Sequence, residues 1–71
     1  MEEKTTINGH IVSYDQSLDQ GIRYLKFKIT PAELKVFFDE AYYRGSAAFR
    51  DHMGYNYKLI HNGGEYQLVR I

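Results

Sequence analysis

The feature that most constrains the fold is the stretch ITPAELKVFFDEAYYRG, in which every signal agrees on a helix. Thr30 is a favourable N-cap, and Glu33, three residues later, completes a capping box. Pro31 suits the first helical position, and Gly45 is typical of a helix end. We predict a helix over residues 31–44 whose apolar residues recur at the i, i+3, i+4, i+7 spacing and form one stripe. That stripe consists of Leu34, Phe37, Phe38, Ala41 and Tyr42.

The segment before this helix alternates between apolar and polar residues, as a half-buried strand does. It reads GIRYLKFKIT and covers residues 21–30. Its apolar positions include Leu25, Phe27 and Ile29. A weaker strand is predicted upstream in TTINGHIVSYD, where Asn8-Gly9 is typical of a bulge. The polar loop DQSLDQG joins these two strands into a predicted hairpin.

A second hairpin is predicted at the C-terminus, in YNYKLIHNGGEYQLVRI, because Asn62-Gly63 is a strong turn signal. With that turn, Leu59 pairs with Tyr66. A turn at Gly63-Gly64 shifts the pairs but keeps the same side chains on each face of the sheet. Between the main helix and this hairpin, residues 46–53 are predicted to form a short helical turn.

Together these elements predict an α+β domain of order ββαββ, in which a four-stranded, mostly antiparallel sheet carries one main helix on one face. The chain is read as a single domain over residues 1–71, with residues 1–5 as a flexible tail. A domain of this length buries only ~60% of its unfolded surface, so its apolar area is limited. The chain has no cysteine, which excludes disulfides and thiolate metal sites. The helix stripe is predicted to pack on Leu25, Phe27, Leu59 and Leu68.

Charge and hydropathy argue against several classes of function. Lys and Arg together number nine, as do Asp and Glu, so the chain lacks the basic excess of non-specific nucleic-acid binders. The first residues are polar and no apolar run follows them, which argues against a signal peptide and a membrane span. We therefore expect a cytoplasmic protein without a membrane partner.

Neither catalysis nor a cofactor or metal is predicted. His10, His52 and His61 lie far apart in the sequence and lack the spacing of metal ligands. The first candidate for a general base is His52, oriented by the carboxylate of Asp51. Adjacent residues on a helix, however, do not face each other. The expected function is that of a small non-enzymatic binding or regulatory module.

Self-association is the preferred mode of binding, because a small domain without disulfides or metal gains stability from a partner surface. Alternation places several apolar residues of the C-terminal hairpin on the sheet face opposite the helix, and two more lie on the helix flank outside the stripe. A homodimer or a complex with another protein is therefore predicted. The residues assigned to this surface are Ile60, Val69, Ile71, Val36 and Tyr43.

Two other interpretations of the same sheet face remain open. In the first, the face is simply solvated and carries a few stray apolar residues, as antiparallel sheets often do. In the second, it binds single-stranded nucleic acid through phosphate contacts and base stacking. The residues assigned to nucleic-acid binding are Tyr24, Lys26, Lys28 and Lys58.

Overall fold

The structure, a computed structural model, describes residues 2–71. It is an α+β domain in which a five-stranded mixed sheet carries two helices. A 3-10 turn (Gln16–Leu18) precedes the first helix, and a π-helical turn (Tyr24–Lys28) follows it. The elements are β1 (Glu2–Ile7), β2 (His10–Asp15), α1 (Asp19–Arg23), α2 (Pro31–Arg44), β3 (Ser46–Arg50), β4 (Asn56–Asn62) and β5 (Glu65–Arg70).

The strands lie in the order β1-β2-β5-β4-β3. The pairing of β2 with β5 is parallel, and the other pairs are antiparallel. The helical part of the chain connects β2 to β3 at the far edge of the sheet. A long crossover of this kind is needed because the strands β2 and β5 are parallel. From there β3, β4 and β5 return as a meander that ends beside β2. The predicted α+β class is confirmed, but the sheet has one strand more than predicted and is mixed.

The predicted helix over residues 31–44 is confirmed as α2, including both of its ends. The hydroxyl oxygen of Thr30 accepts a hydrogen bond from the backbone N–H of Glu33 at 3.2 Å. Gly45 ends the helix with a φ of 91°, in the left-handed region that favours glycine. Most of the stripe is buried or half-buried against the sheet, whereas Tyr42 is exposed. The largest fully buried side chains are Phe38, Leu25, Leu59, Leu68 and Val12.

The strand predicted over residues 21–30 is wrong, because this segment is helical as far as Lys28. The helical segment buries four residues at the i, i+3, i+4, i+7 spacing, which is a helix stripe. Phe27, placed in the core by the strand prediction, is 75% exposed. The four buried residues are Leu18, Gly21, Ile22 and Leu25.

The predicted bulge at Asn8-Gly9 is a hairpin turn that divides one predicted strand into β1 and β2. Asn8 and Gly9 have φ angles of 51° and 83°, and a two-residue turn with both φ positive is type I′. Residues 2–5, which were predicted to belong to a flexible tail, are part of β1. Met1 lies outside the described residues.

The helical turn predicted over residues 46–53 is also wrong, because β3 occupies the first five of these residues. Its burial alternates, with Ala47 and Phe49 facing the helices. The C-terminal hairpin is confirmed in its second register, with the turn at Gly63-Gly64. Leu59 therefore pairs with Leu68 instead of Tyr66, and the two faces are as predicted.

Candidate interaction surfaces

The face of the sheet that points away from the helices is called the open face here. The strand register places its side chains in rows across all five strands. One row runs through Lys4, Ser13, Gln67, Ile60 and Ser46, and the next through Glu2, Asp15, Val69, Lys58 and Ala48.

Apart from Ile11 on β2, which is 46% exposed, the apolar part of the open face lies on β4 and β5. Ile60 and Val69 are half-buried and diagonal to each other in the register. Ile71 is 68% exposed, and its N–H donates a hydrogen bond to the Asn56 carbonyl oxygen at 3.2 Å. This bond continues the ladder past the end of β5, and alternation places Ile71 on the same face as Val69.

The other two residues assigned to self-association lie in a different layer. Val36 is 60% exposed and Tyr43 is 81% exposed, both on the outer side of α2. The sheet separates them from Ile60 and Val69. The five assigned residues therefore do not form one surface, and only the three from the C-terminal hairpin share the open face.

Apart from Lys4 on β1, which pairs with Glu65, the charges of the four outer strands on the open face are divided by sign. The β1–β2 side carries Glu2 and Asp15, and the β3–β4 side carries Arg50 and Lys58. Lys4 contacts Glu65 across the face at 3.5 Å. Over the described residues, the strand positions of this face hold no aromatic side chain. It therefore offers no ring on which a nucleic-acid base can stack.

The four residues assigned to nucleic-acid binding do not share a sheet face, and that part of the prediction is wrong. Tyr24, Lys26 and Lys28 belong to the π-helical turn in the helical layer, whereas Lys58 is on β4 in the open face. The Lys26 ammonium donates to the Thr5 hydroxyl at 2.6 Å. Nucleic-acid binding itself stays a prediction, now without the surface that was proposed for it.

Tyr24 is partly withdrawn from solvent by its neighbours. Its ring stacks on the rings of Phe49 and His52, each with a centroid separation of 6.0 Å. Phe49 in turn stacks on Phe37 and Tyr57. Because the ring packs into this stack, Tyr24 acts mainly as a link between the π-helical turn and the core.

An apolar cleft between β1 and the π-helical turn was not predicted from the sequence. This β1 cleft has a volume of about 480 Å³. Its rim includes the ammonium group of Lys26, and its lining contains no acidic residue. The strand predicted over residues 21–30 could not reveal the cleft, because this segment forms a wall of the cleft only when it is helical. The lining residues are Thr6, Ile7, Asn8, Leu25, Lys26, Phe27, Ile29, Pro31 and Leu34.

The carboxylate of Asp51 is committed to structure. Asp51 is only 5% exposed, and its Oδ1 accepts hydrogen bonds from the N–H groups of Met53 and Tyr55, both at 2.9 Å. Its Oδ2 accepts the hydroxyl proton of Tyr57 at 3.1 Å. His52 is exposed and stacks on Tyr24 instead. Among the hydrogen bonds of the described residues, none joins the side chains of Asp51 and His52, which were considered from the sequence as a catalytic pair.

Two histidines converge on the buried ring of Tyr66. The rings of His10 and His61 each lie 5.1 Å from it, and Phe38 packs edge-on at 4.8 Å. Burial, followed by the negative charge of Asp39, raises the pKa of Tyr66. Within residues 2–71, no three His, Asp or Glu side chains are placed to hold a metal ion. The contacts of the two histidines are those of packed rings.

Alkaline pH is expected to destabilise the fold through Tyr57 and Tyr66. Burial raises the pKa of both groups above 10.0, and the hydrogen bond to Asp51 adds to the effect at Tyr57. The folded state therefore holds these protons more tightly than the unfolded chain. Their stabilisation is complete below 10.0 and disappears as the pH rises through the raised pKa values.

Urea unfolding at a series of pH values up to about 11 measures this effect. The midpoint is expected to fall above pH 10.0, and Tyr57→Phe should make the decline shallower. Tyr43→Phe, at an exposed position, is the matched control and should leave the slope unchanged. A midpoint independent of pH in this range would contradict the assignment.

The chain matches no model of a known protein family, no curated protein and no solved structure. Over the described residues, no helix has both the length and the apolar character needed to cross a membrane.

Proposed function

We propose that this chain is a non-enzymatic binding module that forms a homodimer by packing two open faces against each other. The observation that carries the proposal is that one whole side of the five-stranded sheet bears no helix. Val69 on the central strand β5 and Ile60 on the neighbouring β4 lie near the middle of that side. A central apolar cluster surrounded by polar and charged residues is the usual anatomy of a protein interface.

The dimensions of the open face limit the area that two copies can bury against each other. Five strands about 4.8 Å apart and six residues long, at about 3.3 Å each, form a face of roughly 24 by 20 Å. A standard interface buries about 800 Å² on each partner. The whole molecule exposes 4651 Å². The open face, roughly 480 Å² in flat area, is smaller than a standard interface, so its pairing would give a small interface of the size typical of weak or transient association.

The division of charges makes the face complementary to itself. A two-fold axis parallel to the strands and passing through β5 lays the β1–β2 side of one copy over the β3–β4 side of the other. That operation brings Asp15 of one copy towards Lys58 of the other, since both lie in one row of the register. Val69 then lies near the axis and faces its own equivalent.

Sedimentation equilibrium over a range of protein concentrations tests the proposal. The expected mass approaches twice 8.4 kDa as the concentration rises. Val69→Lys should weaken the dimer by at least about tenfold, because it places two like charges together at the axis. Val36→Lys is the matched control on α2 and should leave association unchanged.

A monomeric mass at every concentration would overturn the dimer, and so would equal effects of the two substitutions. Single-stranded nucleic acid remains the second interpretation of the chain. The absence of aromatic side chains from the strand positions of the open face argues against this face as its binding site.

A further inference from the structure

We propose that the outer edge of β1 and the adjoining β1 cleft bind an extended acidic segment of a partner protein, which adds a strand to the sheet and inserts one apolar side chain beside Phe27. This inference concerns a surface separate from the open face, so it goes beyond dimerisation. Three features support it, namely an unpaired edge, an apolar cleft and a lysine in the lining of that cleft.

The first feature is the outer edge of β1. β1 is the outermost strand of the sheet on this side. In a two-residue hairpin the closing pair, Ile7 with His10, is hydrogen-bonded, and such pairs alternate along the strand. Lys4 and Thr6 therefore direct their N–H and C=O groups away from β2. Backbone groups arranged in this way can pair with an added strand.

The β1 cleft begins where this edge approaches the turn at Asn8. Its walls come from Ile7 on β1, Leu25 on the π-helical turn and Leu34 on α2. The volume of about 480 Å³ lies within the range of roughly 300–1,000 Å³ found for ligand pockets. Because the ring of Phe27 is 75% exposed at this cleft, an inserted apolar side chain would cover it. The cleft thus provides a specific contact that backbone pairing alone lacks.

Charge indicates the chemistry of the partner. Lys26 belongs to the cleft lining, and its ammonium group reaches Thr5 on β1, so its charge lies at the edge itself. Lys28, on the same turn, lines a separate pocket with Asp19 and Tyr24, so Lys26 is the cation in the lining of the β1 cleft. With no acidic residue in the lining, an incoming segment with Asp or Glu beside its apolar residue is favoured.

A protein segment fits this surface better than nucleic acid does. Binding to single strands relies on several cations that follow the phosphates and on a series of stacked bases. Here Phe27 is the exposed aromatic side chain beside two lysines, and the nearby Arg23 is paired with Asp19 at 2.8 Å. The edge backbone of β1 also has no role in binding phosphate chains.

The inference can be tested by selecting binders from a phage-displayed library of random peptides. The full chain is the target, and a parallel selection uses the Phe27→Ala variant as the target. The expected winners share one apolar residue flanked by Asp or Glu. A synthetic winner titrated into the isotopically labelled chain should shift the amide signals of Thr6, Ile7 and Phe27. It should also protect the amide protons of Lys4 and Thr6 from exchange, because they would donate to the added strand.

Two substitutions give the expected size of the effect. Phe27→Ala and Lys26→Glu should each weaken binding of the selected peptide by at least about tenfold. Tyr43→Ala removes an equally exposed aromatic side chain from α2 and should change the affinity by less than about twofold. Val69→Lys should also leave peptide binding intact, so failure of the dimer and failure of this inference are distinguishable.

Absence of enrichment over the Phe27→Ala selection would overturn the inference. Enriched peptides that shift only signals of the open face or α2 would overturn it too. The last measurement uses an oligodeoxythymidine probe of about twelve nucleotides, a length that one single-strand-binding fold covers. Salt-sensitive binding of this probe at Lys26 and Phe27, without peptide binding there, would assign the surface to nucleic acid instead.

Discussion

Asp51→Ala is expected to lower the free energy of unfolding by about 3 kcal/mol, because it removes a buried carboxylate that accepts several hydrogen bonds. A chain of this length has a total stability of roughly 4–10 kcal/mol. The variant should therefore unfold at a much lower urea concentration, with a loss of about 12–25 °C in Tm. Circular dichroism suits the measurement, since the chain has no tryptophan.

The size of this effect follows from where the carboxylate lies. Residues 51–55 join β3 to β4, and the loop is closed by backbone bonds from Asp51 to the Tyr55 carbonyl and from Gly54 to the Asp51 carbonyl. The carboxylate adds the N–H groups of Met53 and Tyr55, and it also holds the hydroxyl of Tyr57. Its removal would leave these donors without their partner in a loop that sets the spacing of two strands.

Asp51→Asn is the matched control for the charge. Asparagine keeps one carbonyl oxygen for the two backbone N–H groups, and its amide can donate to the hydroxyl oxygen of Tyr57. The expected loss is about 1 kcal/mol. A loss from Asp51→Ala no larger than that from Asp51→Asn would contradict the role given to the carboxylate.

The sequence predicted best those elements whose local signals agree with their tertiary surroundings. The helix over residues 31–44 has a cap, a stripe and a terminal glycine that all agree. The C-terminal hairpin has a period of two and a strong turn, so its faces were predicted, and its register is the second of the two that the turn residues allowed. In both elements most of the residues that face the core are large and apolar, so the period is visible in the sequence.

The first half of the chain was predicted poorly, for a physical reason. Gly21 occupies a central position of the buried stripe, where a glycine gives no hydropathy signal. The alternation of Leu25, Phe27 and Ile29 therefore dominated, although Phe27 faces solvent. At β3, Ala47 and Ala48 favour a helix by intrinsic propensity, yet pairing with β4 overrides it.

A candidate surface could be predicted from the sequence only where the elements that form it were predicted correctly. The open face was anticipated for β4 and β5, because alternation in a correctly identified hairpin fixes which side chains it carries. The β1 cleft is lined by both Ile7 and Leu34, which are far apart in the sequence. The apolar cleft becomes visible only when the helical segment and β1 are placed together.

Gly21→Ala is expected to destabilise the fold by about 2 kcal/mol, although alanine is normally the better helix former by about 1 kcal/mol. A Cβ atom at this position would lie 2.9 Å from both Cε1 and Cζ of the Tyr57 ring and 3.1 Å from Cδ2 of Leu68. The ring cannot withdraw cheaply, because its hydroxyl is held by Asp51 at 3.1 Å. The clash therefore outweighs the gain in helix propensity.

Urea unfolding of three variants isolates this contact. Gln20→Ala, at the exposed neighbouring position of α1, is the control and should be neutral or slightly stabilising. In the Tyr57→Leu background, Gly21→Ala should cost less than it does in the natural chain, since the smaller side chain leaves room for the methyl group. A stabilising Gly21→Ala, or equal costs in the two backgrounds, would mean that α1 does not pack on Tyr57 this closely. Because the same packing sets the position of the π-helical turn that follows, the β1 cleft would then lose its wall as well.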